Sequence, residues 1–200
     1  MSKYRYRTLR EQVRVRFTVK NSRFIATAAP VTGEEAARQF IDRVREEYPD
    51  ATHHTYVYRI GAAGSLVERT FDDREPAGTA GLPMLQLLQG RKLSDMAVVG
   101  TRYFGGIKLG IGGLTRAYRQ CARACIEDGE LVEREQIYYC RLTVSYSEIG
   151  ALLRQLESLG GKIIGTDYTA EASVVAALPY RVVGTMKKRF NELSRDRKST

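Results

Sequence analysis

One run constrains this chain more than any other: Val98-Val-Gly-Thr-Arg-Tyr-Phe-Gly-Gly-Ile-Lys-Leu-Gly-Ile-Gly-Gly-Leu-Thr-Arg-Ala-Tyr118. The segment that leads into it, Met96 to Tyr103, reads as a mostly buried strand. The nine residues Gly105 to Gly113 hold five glycines, a loop whose amides can turn together with no side chain in the way. Leu114, Tyr118, Cys121, Ala122, Cys125 and Ile126 then recur at helical spacing, up to a stop at Gly129. A strand feeding a glycine loop and a helix N-terminus is a natural anion site, because unpaired N–H groups and the helix dipole meet there. Lys108 lies in the loop, Arg102 precedes it and Arg116 follows it. The candidate nucleic-acid or anion-binding set is therefore Arg102, Tyr103, Gly105, Gly106, Lys108, Gly110, Gly112, Gly113 and Arg116. The spacing is neither the P-loop pattern nor the dinucleotide fingerprint. The alternative is structural: the glycine pairs serve only tight turns and close helix–sheet packing.

Charge sharpens that reading. The 200 residues carry 32 Lys and Arg against 23 Asp and Glu, a net of +9 with histidine neutral. The excess sits at the ends: residues 1–23 oppose eight basic residues to Glu11 alone, and residues 181–200 oppose seven to Glu192 and Asp196. Such a balance favours phosphate-rich or otherwise acidic partners. The longest uncharged stretch, Pro76 to Gly90, is fifteen residues and is broken by Pro83, short of the ~20 apolar residues of a spanning helix. No signal-peptide pattern is visible at the N-terminus. The three cysteines include no Cys-x-x-Cys pair, which speaks against a disulfide framework. The expectation is a cytoplasmic protein with no membrane partner and no cofactor.

Along the chain, Val13, Val15 and Phe17 alternate with Arg14, Arg16 and Thr18, a half-buried strand with a basic outer face. Thr32-Gly-Glu-Glu35 fits a capping box ahead of a helix with Ala36, Ala37, Phe40, Ile41 and Val44 on one face. Thr52–Ile60 and Leu66–Phe71 read as a hairpin, and Leu82–Gln89 as a short helix. The charged run Glu127–Gln136 marks a boundary, so we expect domains at 1–134 and 135–200. Beyond it come a strand (138–145), a helix (147–159) stopped at Gly160-Gly161, strands at 162–168 and 170–178, and a helix entered through Pro179 with Val183, Met186, Phe190 and Leu193 inward. That order is a ferredoxin-like module lacking its last strand, with 195–200 as the only stub for it.

A second candidate group lies in Phe71-Asp-Asp-Arg-Glu-Pro-Ala-Gly-Thr-Ala-Gly81. Asp72, Asp73 and Glu75 suit a hard-cation site or a general base. The reading preferred here is turn-forming acids, with Arg74 neutralising them and Thr79 capping the next helix. His53 and His54 complete this second group; as neighbours on a strand they face opposite ways and cannot share one metal, so no metal site is assigned. Cys121 and Cys125 fall in the apolar stripe and read as buried small hydrophobes. Tyr4 and Tyr6 alternate with Lys3, Arg5 and Arg7, a pattern suited to single-stranded RNA or simply to a solvated terminus.

The motifs Ser22-Arg-Phe-Ile25, Asp72 to Pro83 and Thr101 to Tyr118 resemble the IMPACT/YigZ family over nearly the whole chain, in its stand-alone bacterial form. The resemblance implies an α+β protein: an N-terminal mixed α/β domain similar to domain IV of elongation factor G, and a C-terminal ferredoxin-like domain similar to its domain V. Eukaryotic relatives carry an extra module and restrain a kinase that phosphorylates an initiation factor. Where the family usually has glycine after the second Asp, this chain has Arg74, strained if that position needs positive φ.

Three functions follow from these residues. The first is a non-enzymatic RNA- or ribosome-associated protein that regulates translation through the basic glycine loop. The second is a hydrolase of a phosphorylated or peptide-like substrate, which needs the acids or a histidine to meet the loop in one cleft. The third is a regulator that binds a protein of the translation apparatus. We take the first as the expectation.

Overall fold

A computed structural model describes residues 4–62 and 65–188. The chain divides into two compact units, Met1–Arg134 and Glu135–Thr200. Both are α+β with antiparallel sheets.

The first unit is built on a five-stranded sheet. Its strands are β2 (Val13–Val19), β3 (Ser22–Pro30), β4 (His53–Ile60), β5 (Val67–Phe71) and β6 (Met96–Tyr103), in the order β2-β3-β6-β4-β5. Lys20 and Asn21, both at positive φ, make the two-residue turn that joins β2 to β3, the left-handed geometry that matches strand twist. The central strand β6 is buried on both faces, as its continuous apolar run requires. Ala97 and Val99 face α1 (Glu34–Glu47), whose Ala37, Phe40, Ile41 and Val44 fill that layer. Met96 and Val98 face the opposite layer, where α2 (Gly81–Gly90) and α3 (Gly110–Asp128) pack together. A further pair, β1 (Arg5–Leu9) with β7 (Leu131–Glu135), joins the two ends of this unit.

Several expected boundaries move. β3 was not foreseen, because its Ala-rich run is buried on both faces and shows no alternation. The charged run Glu127–Gln136 holds the end of α3 and all of β7, and the two units divide within it, after Arg134. α1 has Gly33 at its N-cap and no side-chain cap, so the expected capping box does not form. Glu34 and Glu35 still place negative charge on the first turn, and Glu34 accepts a hydrogen bond from the Tyr58 hydroxyl at 2.7 Å. Tyr6 is buried, its hydroxyl donating to Asp95, so it is not available to stack on a base.

In the second unit, β8 (Ile137–Val144), β9 (Lys162–Tyr168) and β10 (Ala172–Pro179) form a sheet ordered β8-β10-β9, with α4 (Ile149–Ser158) between β8 and β9 in the chain. β10 is antiparallel to both neighbours, so β8 and β9 run parallel with β10 inserted between them. α4 stops where predicted: Gly160 takes φ +74 and the Gly161 amide donates to Leu156 O at 2.9 Å. After Pro179 the chain turns helical through Lys188, with Val183 and Met186 buried. Phe190, Leu193 and the proposed strand stub at 195–200 lie outside the described residues.

Candidate functional site

Strand register builds the site floor. Arg102 of β6 pairs with Phe24 on one side and His53 on the other, so all three share the face covered by α2 and α3. His54 and Thr101 share the face covered by α1, as alternation along a strand demands. The two histidines accordingly do different work. On the α1 side, His54 Nε2 lies 2.9 Å from Tyr48 O and Nδ1 3.2 Å from Thr101 Oγ1. Burial pushes its pKa down from the ordinary 6.5, a shift only partly opposed by the Tyr48 carbonyl. On the site side, His53 Nδ1 lies 2.8 Å from Asp73 O. A carbonyl only accepts, so we assign the proton to Nδ1, which leaves Nε2 as the outward nitrogen.

The acidic turn after β5 supplies the rest. Asp72 accepts from the amides of Gly78 (2.7 Å), Ala80 (3.1 Å) and Gly81 (2.8 Å). It therefore knots the loop and satisfies the start of α2. Thr79, the expected cap, instead donates to Pro76 O at 2.6 Å. Asp73 accepts from the His54 amide at 2.5 Å. Asp73 and Arg74 both adopt positive φ, 44° and 65°, and this kink turns Glu75 inward. Glu75 Oε1 accepts from Arg102 Nη1 and from the Tyr118 hydroxyl, each at 2.7 Å, and stands 3.8 Å from His53 Nε2. The three acids thus diverge to three sets of partners. Burial, followed by the nearby Glu75 charge, pushes the Tyr118 hydroxyl pKa up, so it stays a donor. Gly100 makes room for that tyrosine: a Cβ there would lie 3.0 Å from the Tyr118 ring and 2.9 Å from Thr55 Oγ1.

Arg102 is the principal correction. It is only 4% exposed, paired with Glu75 and donating through Nη2 to Ser22 Oγ at 3.1 Å. Its guanidinium lies between the rings of Phe24 (5.7 Å) and Phe104 (5.4 Å). It is no free surface cation, because the carboxylate needed to bury it comes from a turn 27 residues away. Tyr103 is likewise engaged, its hydroxyl donating to Asp50 at 2.7 Å and its ring 4.2 Å from the Arg23 guanidinium carbon.

The glycine loop is shorter than the sequence indicates. α3 begins at Gly110, so Gly112 and Gly113 lie in its first turn and Arg116 in its second. Gly105 packs against the β2–β3 turn, where a Cβ would fall 2.1 Å from Asn21, and its amide donates to Ser22 Oγ at 3.3 Å. Gly106, Ile107, Lys108, Gly110, Ile111 and Gly112 are exposed. No side chain caps α3 and no acid occupies its first turn. Beside it, a cavity of about 400 Å³ is lined by His53, Glu75, Arg102, Phe104, Lys108 and Leu114, with Pro76, Leu109, Gly110 and Ile111 completing the wall. Lys20, Gly113 and Arg116 line a separate hollow of about 180 Å³. The cavity joins His53, Glu75, Arg102, Lys108 and Gly110 and leaves out His54, Asp72, Asp73, Tyr103 and Arg116. Sequence reasoning missed Ser22 and Tyr118 as members of the network. Tyr118 read simply as part of the α3 apolar stripe, and its reach to Glu75 has no local signal. Cys121 and Cys125 are buried in the same core; burial pushes both thiols up, Cys125 to about 12.

The fold and site define a two-unit α+β protein whose first unit holds a buried Arg–Glu–Tyr cluster, with the half-buried His53 beside it, under a glycine-rich helix entry. Residues 20–126 match the Impact N-terminal domain, and residues 142–197 match DUF1949, a domain of unknown function. The chain belongs to the IMPACT family. It is 36% identical over 178 residues to IMPACT family member YigZ of Escherichia coli, covering 88% of this chain and 87% of that one. Protein IMPACT-A of Xenopus tropicalis is 36% identical over 97 residues, which are 46% of this chain and 30% of that protein. A solved structure described as a hypothetical protein is 34% identical and superposes with a TM-score of 0.72 over 96% of this chain and 94% of its own.

Proposed function

We propose that this protein acts on translation by binding RNA, free or ribosomal, without catalysing a reaction. The observation that carries the proposal is the solvent-open entry of α3: an uncapped helix start, an exposed glycine run and Lys108, with Lys20 and Arg116 on the flank. Those are donors and cations suited to phosphate. The likeness of the two units to domains IV and V of elongation factor G belongs to this proposal, and so does the ferredoxin-like reading of the second unit. The inserted β10 between parallel β8 and β9 supports the latter. The test is fluorescence anisotropy with a labelled single-stranded RNA at rising salt. Affinity should fall steeply between low and moderate salt as phosphate contacts release counterions. Lys108→Ala and Arg116→Ala should each weaken binding several-fold and flatten the salt slope. A salt-insensitive affinity overturns the reading. Arg102→Ala is no probe here, because it strands the Glu75 carboxylate in the interior.

A hydrolase is favoured by one observation: His53 and Glu75 meet the glycine loop in one cavity. Release of p-nitrophenol from p-nitrophenyl phosphate that disappears in His53→Ala would support it. Turnover that survives both His53→Ala and Glu75→Gln would remove it.

A further inference from the structure

The cavity beside α3 has two chemically distinct halves. One is the helix entry, where the amides of Gly110, Ile111 and Gly112 open a 19-residue helix with no side-chain cap, and where exposed Lys108 stands on the lip. The first N–H groups of a helix have no partner within it. This half attracts a dianion. The other half has apolar walls over a polar floor: Pro76, Phe104, Ile111 and Leu114 surround Glu75, His53 and Arg102. Phe104 and Ile111 are 46% and 69% exposed, unusual for residues facing a concave site and suited to the faces of a flat ring. At the floor, the Arg102 side chain is 95% removed from solvent, and its guanidinium is committed to Glu75 Oε1 and Ser22 Oγ. Glu75 and His53 Nε2 offer acceptor capacity there, while the Glu75 charge is already balanced by Arg102. The floor therefore suits a neutral ring edge that donates hydrogen bonds rather than a second anion.

From these halves we infer that the cavity holds one nucleoside monophosphate unit, such as a phosphorylated RNA end. The phosphate lies at the α3 entry with Lys108, and the base lies against Phe104 and Ile111 above the Glu75–Arg102 floor. The volume of about 400 Å³ lies within the ~300–1,000 Å³ of small-molecule sites. This rests on the reading of the glycine loop as a phosphate site, and adds a base subsite that phosphate-backbone binding does not require.

Calorimetry on the full chain with AMP, ribose 5-phosphate, adenosine and inorganic phosphate tests it. AMP should bind about ten-fold more tightly than ribose 5-phosphate, the loss expected when a stacked base is removed. Phe104→Ala should bring AMP down to the ribose 5-phosphate level while leaving ribose 5-phosphate unchanged. Lys108→Ala should weaken both phosphates by a similar factor. Lys108 is exposed, whereas the half-exposed Phe104 ring also lies 5.4 Å from the Arg102 guanidinium. Thermal midpoints are therefore measured with each variant, and unchanged ribose 5-phosphate binding shows that the Phe104→Ala site is intact. Equal binding of AMP and inorganic phosphate removes the base subsite. Salt-dependent binding of an oligonucleotide that AMP does not displace overturns this inference and leaves the RNA reading standing. Absence of binding by both AMP and RNA overturns both. AMP binding without RNA binding supports the cavity assignment and sinks the RNA reading alone.

Discussion

Glu75 shows how much a single residue can decide in this fold. One carboxylate oxygen receives an arginine and a tyrosine and faces a histidine, and it is held there by two consecutive residues in the left-handed region. For Asp73 that backbone is tolerable; for Arg74 it is strained, since only glycine visits it freely. The Arg74 side chain is 85% exposed, so its replacement changes little except that strain. Arg74→Gly should raise the urea midpoint by an amount worth up to ~1 kcal/mol, and an unchanged or lower midpoint contradicts the strain. His54 contributes a pH dependence of definite sign. Its folded pKa lies below the ordinary 6.5, so the unfolded chain binds more protons between the two values. This contribution is fully present above 6.5 and fades as pH falls from there through the lowered folded pKa. Thermal midpoints of the parent should therefore drop on acidification across that window, and His54→Gln should lessen the drop. A parallel decline in both proteins contradicts this.

At the scale of elements, the turn that carries Glu75 also starts a helix. Asp72 takes three amides at the entry of α2, so Asp72→Ala should cost ~1–2 kcal/mol. Amide exchange at Gly78, Ala80 and Gly81 should accelerate; unchanged exchange there would show that other groups hold the turn. The helices were legible because apolar residues at 3.6-residue spacing mark them: α1, α3 and α4 lie close to their predicted spans. β3 was not, because a strand buried on both faces carries no period. Asp72 as the cap of α2 was hidden for another reason: a cap normally precedes its helix by one residue, and this one reaches forward across eight. The site was half legible. Its glycine loop and Lys108 stand in the sequence, and Glu75 and His53 were flagged without a way to join them. The burial of Arg102 depends on register among β3, β4 and β6, which no local pattern encodes.

For the molecule as a whole, the long-range closure of the first unit matters most. β1 and β7 come from opposite ends of that unit. The Ser94 amide donates to Arg7 O at 3.0 Å, Thr8 Oγ1 donates to Asp95 O at 2.9 Å, and Leu9 is fully buried in the main core. A basic N-terminal segment that reads from sequence as an RNA-contacting or simply solvated terminus is in this stretch a structural strand. Leu9→Ala should cost ~2–5 kcal/mol, visible as a fall in the denaturation midpoint of the first unit; a surface-like change below half a kcal/mol would show that β1 only lies against the core. Ser22 Oγ accepts from both Arg102 at the base of the cavity and Gly105 at its rim. That one hydroxyl thus pins the base of the recess and its rim to the same point of β3, and Ser22→Ala would leave two donors without their acceptor.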